Sequence, residues 1–101
     1  MKKNETLTSR KIIETIEKNK YDIRRHGVKR IGLFGSFIKK PNKNSDIDLI
    51  VRFERPTFDN YMELKFMLEK LFRKKVDLVI EQNIKPALRY IKDEAIYAKK
   101  L

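Results

Sequence analysis

The chain of 101 residues has no cysteine and no tryptophan, one histidine, three glycines and three prolines. Without cysteine, disulfide frameworks and thiolate-ligated metal sites are excluded. A lone His26 likewise excludes a zinc centre built on several histidines. No apolar run approaches the ~18 residues needed to span a bilayer, so no membrane role is expected. Charged residues interrupt every apolar stretch before Val28, which leaves no signal-peptide core and makes the cytoplasm the expected compartment. Few glycines and prolines, with 41% hydrophobic residues, also argue against a disordered tail. One small domain over residues 1–101 is the natural parse.

Acidic charge is the other scarce commodity. Twenty-five Lys and Arg face fourteen Asp and Glu, for a net charge of +11. That balance suits a phosphate-bearing or acidic partner, and equally a solvated lysine surface. The sign is not uniform along the chain. Met1 to Arg30 carries +6 and Phe37 to Ser45 adds three lysines, whereas Asp46 to Glu54 holds Asp46, Asp48 and Glu54 against Arg52 alone.

Hydrophobic spacing predicts the order αββαβα and hence an α/β (α+β) fold, a small mixed sheet with flanking helices. Ile12, Ile13, Ile16 and Ile23 recur near helical spacing from Leu7 to His26, and Gly27 supplies a C-terminal stop. Val28 to Phe34 and Ile47 to Phe53 read as strands, the second with Ile47, Leu49, Val51 and Phe53 alternating against Asp48, Ile50 and Arg52. Beyond Pro56, Asp59 or Asn60 can cap a helix whose apolar stripe is Tyr61, Leu64, Met67, Leu68, Leu71 and Phe72. Val76 to Ile80 is a third strand, and Pro86 opens a final helix with Leu88, Ile91, Ala95 and Ala98 on its apolar side. The short link between the first two strands predicts an antiparallel pair. The helical link between the second and third predicts a parallel one.

The acidic island carries the chemistry. Asp46 and Asp48 lie two residues apart on a strand, so both carboxylates leave the same face. Like charges side by side repel unless a cation lies between them. Magnesium prefers such hard oxygen ligands and completes its shell with water and phosphate. Asp77, one residue into the third strand, would enter a parallel sheet at the same edge, and three carboxylates there can hold two divalent ions. Gly35 and Ser36 end the first strand beside the start of the second. There, glycine permits close backbone approach to a phosphate, and the hydroxyl and N–H groups can donate to it.

The run GLFGSFIKKPNKNSDIDLIV with VDLVI downstream resembles the minimal nucleotidyltransferases of the DNA polymerase β superfamily. The likeness spans nearly the whole chain. It implies the polymerase β-like nucleotidyltransferase fold, with Gly35 and Ser36 on the triphosphate. Asp46 and Asp48 would be metal ligands, with Asp77 the base or ligand nearest the acceptor hydroxyl. Where such proteins often carry a small residue, Arg and Gly after Gly-Ser-x, this chain has Ile38, Lys39 and Lys40. Lys39 keeps the positive charge for nucleotide binding but lacks the planar fork of arginine. Minimal nucleotidyltransferases are commonly antitoxins of HEPN ribonuclease toxins. The resemblance therefore implies Mg2+-dependent transfer of AMP from ATP to a toxin hydroxyl, most often of tyrosine, within a hetero-oligomeric complex. The alternatives are a non-catalytic antitoxin that neutralises by binding, and transfer to a small molecule or an RNA end. Direct nucleic-acid binding is the less favoured use of the basic surface. Among secondary candidates, His26 reads as a helix-end cap rather than a general base. Tyr90 and Tyr97 read as half-buried packing residues, and Ser45 as a turn residue.

Overall fold

The computed structural model describes residues 7–35 and 46–99. Helix α1 (Ser9–Lys18) starts at Thr8, whose side-chain oxygen accepts the Lys11 N–H at 3.1 Å. Helix α2 (Lys20–Arg24) follows after one residue. Strands β1 (Val28–Phe34) and β2 (Ile47–Phe53) come next, then helix α3 (Phe58–Phe72) and strand β3 (Val76–Ile80). Two single 3-10 turns, Glu81–Asn83 and Pro86–Leu88, lead into helix α4 (Tyr90–Glu94) and strand β4 (Ile96–Tyr97). The sheet order is β3-β2-β1-β4. As expected, β1 and β2 are antiparallel, and β2 and β3 parallel.

Alternation assigns the two faces of the sheet. Ile31 and Leu33 of β1, Ile47, Leu49, Val51 and Phe53 of β2, and Val76 and Leu78 of β3 point into the core. Helices α1 and α2 cover them with Ile12, Ile16 and Ile23, and α3 with Leu64, Leu68 and Phe72, all buried. Burial of this apolar surface, at about 25 cal/mol per Å², is the main stabilising term. The opposite face carries Asp48, Ile50 and Arg52 on β2, beside Phe34, Gly32 and Arg30 on β1 and Asp77 and Val79 on β3.

The outer edge of β3 is managed by α3. Tyr61 donates its hydroxyl to the Leu78 carbonyl at 3.0 Å, and Lys65 Nζ donates to the Val76 carbonyl at 2.7 Å. Glu69 accepts the Val76 N–H at 3.0 Å. That N–H, aided by Lys65, holds the Glu69 carboxyl below the usual glutamate range despite some burial. Helix side chains thus satisfy backbone groups that an exposed edge strand would offer to another chain.

Five local expectations need correction. The single helix over Leu7 to His26 is broken at Asn19, whose ψ of 22° leaves the helical region. Its side chain donates to the Thr15 carbonyl at 2.7 Å, the local competition that disfavours asparagine in helix interiors. Helix α3 is capped earlier than Asp59 or Asn60: Thr57 accepts the Asn60 N–H at 3.1 Å, and the Asn60 amide turns back to the Arg55 carbonyl. Leu71 lies on the exposed side of α3, outside the buried stripe. The last helix shrinks to one 3-10 turn and five residues, because Ala95 turns extended and β4 pairs with the free edge of β1. Gly32 makes that pairing feasible, since a Cβ there would stand 2.9 Å from the Tyr97 ring. Tyr97 is half-buried as expected, whereas Tyr90 is exposed.

Candidate active site

The parallel register of β2 and β3 places Asp48 directly opposite Asp77. Adjacent strands stand about 4.8 Å apart, so two carboxylates on one face at one rung are within reach of a shared cation. In the antiparallel register of β1 and β2, Phe34 faces Asp48, and the next residue is Gly35. Gly35 has φ of +86°, in the left-handed region that glycine adopts without strain. A Cβ at Gly35 would collide with Asp48 Oδ2 and stand 3.1 Å from its Cγ. The chain end of β1 is therefore pressed against the carboxylate, which only a residue without a side chain allows.

Asp46 is exposed one residue before β2. With Asp77 it lines a surface depression of about 230 Å³ whose other walls include Lys65 and Lys75. Register and the depression thus bring Gly35, Asp46, Asp48 and Asp77 to one end of the sheet. Ser36 and Lys39, the two other expected nucleotide contacts, and Ser45 lie outside the described residues. His26 Nδ1 donates to the Asp22 carbonyl, 2.9 Å away near the end of α2, in keeping with a helix-end role.

Two features escaped the sequence reading. Lys65 looks like one more solvated helix lysine, and only packing of α3 on β3 brings it to the depression. The second lies at the far end of the same sheet face, where Arg30 and Arg52 are cross-strand partners. Such a pair repels. Glu81, its side chain only 1% exposed, lies between them. Arg30 closes on it bidentately, at 3.0 Å from Nε and 2.8 Å from Nη2. Arg52 Nη1 stands at 3.4 Å and Lys92 Nζ at 3.8 Å. The Arg30 hydrogen bonds hold the Glu81 carboxyl below the usual range against the opposing effect of burial. Burial, with the charge of Glu81, pushes the Tyr97 hydroxyl up, so it stays protonated and donates to Glu81 at 3.3 Å. The Gln82 side chain both donates to and accepts from the Phe53 backbone, which fixes the turn carrying Glu81 on the end of β2.

A family model described as polymerase beta nucleotidyltransferase matches residues 10–101. The chain belongs to this family. Among its relatives is the protein adenylyltransferase MntA of Thermococcus cleftensis, 34% identical over 95 residues, which are 90% of this chain and 96% of that one. The nucleotidyltransferase fold is also seen in a solved chain assigned to the minimal nucleotidyltransferases. It is 35% identical with a TM-score of 0.68, covering 83% of this chain and 93% of the other. The solved complex of a tri-AMPylated HEPN toxin of Shewanella oneidensis with MNT antitoxin includes a chain of the same fold. That chain is 22% identical with a TM-score of 0.62, and the match covers 85% of this chain and 71% of that one.

The Gly35 contact predicts a coupled defect in this nucleotidyltransferase. Gly35→Ala should lose about 1–2 kcal/mol of stability through the left-handed φ. It should also lose about a hundredfold in transfer rate, because displacement of the Asp48 carboxylate by an ångström is costly at a reacting centre. Thermal melts and initial rates of nucleotidyl transfer on the same preparation check both effects; a Gly35→Ala enzyme with wild-type rate contradicts the packing argument.

Proposed function

We propose that the chain is a Mg2+-dependent protein adenylyltransferase acting as an antitoxin, which moves AMP from ATP to a hydroxyl, most often of tyrosine, on a HEPN-type ribonuclease toxin. The observation that carries this reading is Asp48 in register with Asp77 and pressed by Gly35. The relatives support it, one named a protein adenylyltransferase and another found in complex with an AMPylated HEPN toxin.

The donor set fits magnesium. Among the described residues no three carboxylates already converge as a closed metal cage. Magnesium, however, is ordinarily held by one or two carboxylates, with water and substrate phosphate completing its shell. The Asp48–Asp77 pair meets that requirement, and Asp46 extends it toward a second ion. Bound there, magnesium would neutralise charge on the phosphates as a Lewis acid.

The chain's own groups have the following roles in the proposal. Asp46 and Asp48 hold the metal side of the triphosphate. Gly35 and Ser36 offer N–H and hydroxyl donors to its oxygens, and Lys39 adds a cation. Asp77 faces the acceptor and takes the proton of its hydroxyl. The acceptor oxygen forms a bond to the α-phosphorus as the bond to the bridging oxygen breaks, and diphosphate leaves in line. The acceptor surface comes from the partner in a hetero-oligomeric complex. Use of ATP assigns the reaction to the cytoplasm, and among the described residues no helix is long and apolar enough to cross a membrane.

Acceptors separate this reading from its rivals. Incubation with ATP and magnesium should add the mass of AMP to a HEPN-type protein partner, and not to an aminoglycoside or an RNA end. A mass increment on either of those alone sinks the protein-adenylylation reading.

A further inference from the structure

The cluster around Glu81 borders a cavity of about 400 Å³, lined by Arg52, Arg89 and Lys92 with Ile84 and Pro86 as apolar walls. It is separate from the carboxylate end. Asp48 and Arg52 are four residues apart on β2, roughly 13 Å at strand rise, and Ile50 between them is fully buried. No group with a role in the proposed transfer lines the cavity.

Three cations reach it from two elements and the turn between. Arg52 comes from the end of β2 and Lys92 from α4. Arg89 caps α4 in helical geometry, and its carbonyl accepts the Lys92 N–H at 3.0 Å. The two side chains therefore lie one helical turn apart on the same side.

Their charge is not consumed within the fold. Both oxygens of Glu81 are taken by Arg30, at 3.0 and 2.8 Å, and Oε1 also accepts the Tyr97 hydroxyl. Arg52 and Lys92 stand off Oε2 at 3.4 and 3.8 Å, charge contacts rather than tight hydrogen bonds. Their side chains are 45% and 37% exposed. Arg89 is exposed and has no hydrogen-bond or ion-pair partner among the described residues. Four cations, Arg30 included, and one carboxylate leave a net charge of +3. Like charges gathered at a concavity repel one another and concentrate anions there.

The arrangement selects the kind of anion. A carboxylate is planar and offers two oxygens. A phosphoryl group offers three, to match donors that converge from three residues, and arginine and lysine are its usual partners. The cavity exceeds the size of inorganic phosphate, and Ile84 and Pro86 give a carbon skeleton an apolar wall. We infer that the Arg52–Arg89–Lys92 cavity is a phosphomonoester site, with the phosphoryl group on the three cations and the organic part against Ile84 and Pro86. Glu81 is its positioning residue. The site is independent of the adenylylation reading, because none of its residues serves in that reaction.

Titration of the full chain without magnesium, followed by amide NMR at constant ionic strength, tests it. AMP and inorganic phosphate should shift the Gln82, Arg89 and Lys92 amides saturably, AMP at the lower concentration, and adenosine should leave them in place. Arg89→Ala has no partner to lose, so it should melt with wild type while AMP affinity at these amides falls about tenfold. Asp48→Ala should bind AMP there as wild type does, which separates this site from the carboxylate end. A trinucleotide with a 5′-phosphate that binds more tightly than AMP supports the site and assigns it to nucleic-acid ends; one that binds no better supports it as a site for free nucleotides. The same trinucleotide with a 5′-hydroxyl should lose the shifts, and equal binding of the two overturns the inference. So do shifts that never saturate, AMP no better than adenosine, or wild-type affinity in Arg89→Ala.

Discussion

Asp48→Ala should lower AMP transfer by at least ~10³-fold while the melting temperature stays within about 4 °C of wild type. The rate effect follows from the position of Asp48. Asp48 meets both Asp77 across the β2–β3 rung and Gly35 at the end of β1. Loss of it removes the donor that holds the metal side of the triphosphate, and metal-assisted charge stabilisation is worth several kcal/mol in such reactions. The stability effect has a different origin. Asp48 is only half-buried, and with no cation bound its partner across the rung is a like charge. The carboxylate lies at the end of the sheet rather than in the apolar core, so its removal should cost little stability, and magnesium should no longer raise the melting temperature of the variant. A variant that melts far below wild type would make Asp48 a structural residue instead.

The largest stability effect is expected at the other end of the face. Glu81→Ala leaves Arg30, Arg52 and Lys92 facing one another with no carboxylate among them. Breaking a fully buried pair costs about 3–5 kcal/mol. The three cations here retain access to water, so about 2 kcal/mol is expected, a fall of roughly 10 °C in melting temperature for a domain of this size. The pH dependence has a fixed sign. The folded-state pKa of Glu81 is depressed, so its contribution is complete above the unfolded glutamate value of about 4.3 and is lost as pH falls through the lower folded value. Wild type should therefore lose stability more steeply than Glu81→Gln below about pH 4.3, and the curves should converge in acid. Urea titrations across that range measure it. Parallel curves, or Glu81→Ala as stable as wild type at neutral pH, would show that the cluster is not a stabilising one.

These two sites were unequally legible. The carboxylate end is local in sequence: alternation assigned Ile47 to Phe53 and Val76 to Ile80, and a helix between them required the parallel register that sets Asp48 against Asp77. The Glu81 end is assembled from residues 51 and 29 positions apart, and a glutamate after a strand carries no periodic signal of its burial. Strand β4 was hidden for a related reason. Ile96–Tyr97 is too short for alternation to register, and it forms because Gly32 leaves room for the Tyr97 ring on the edge of β1. Asn19 shows the limit of helical spacing, which continued through a residue whose own side chain ends the helix.

The central claim is that this edge of the sheet transfers AMP to a protein hydroxyl. Incubation of the chain and a HEPN-type partner with magnesium and ATP labelled at either the α- or the γ-phosphate tests it most directly. The account predicts label on the partner from the α-position only, dependent on magnesium and absent with Asp48→Ala. Label from the γ-position, or undiminished α-label with Asp48→Ala, would contradict it.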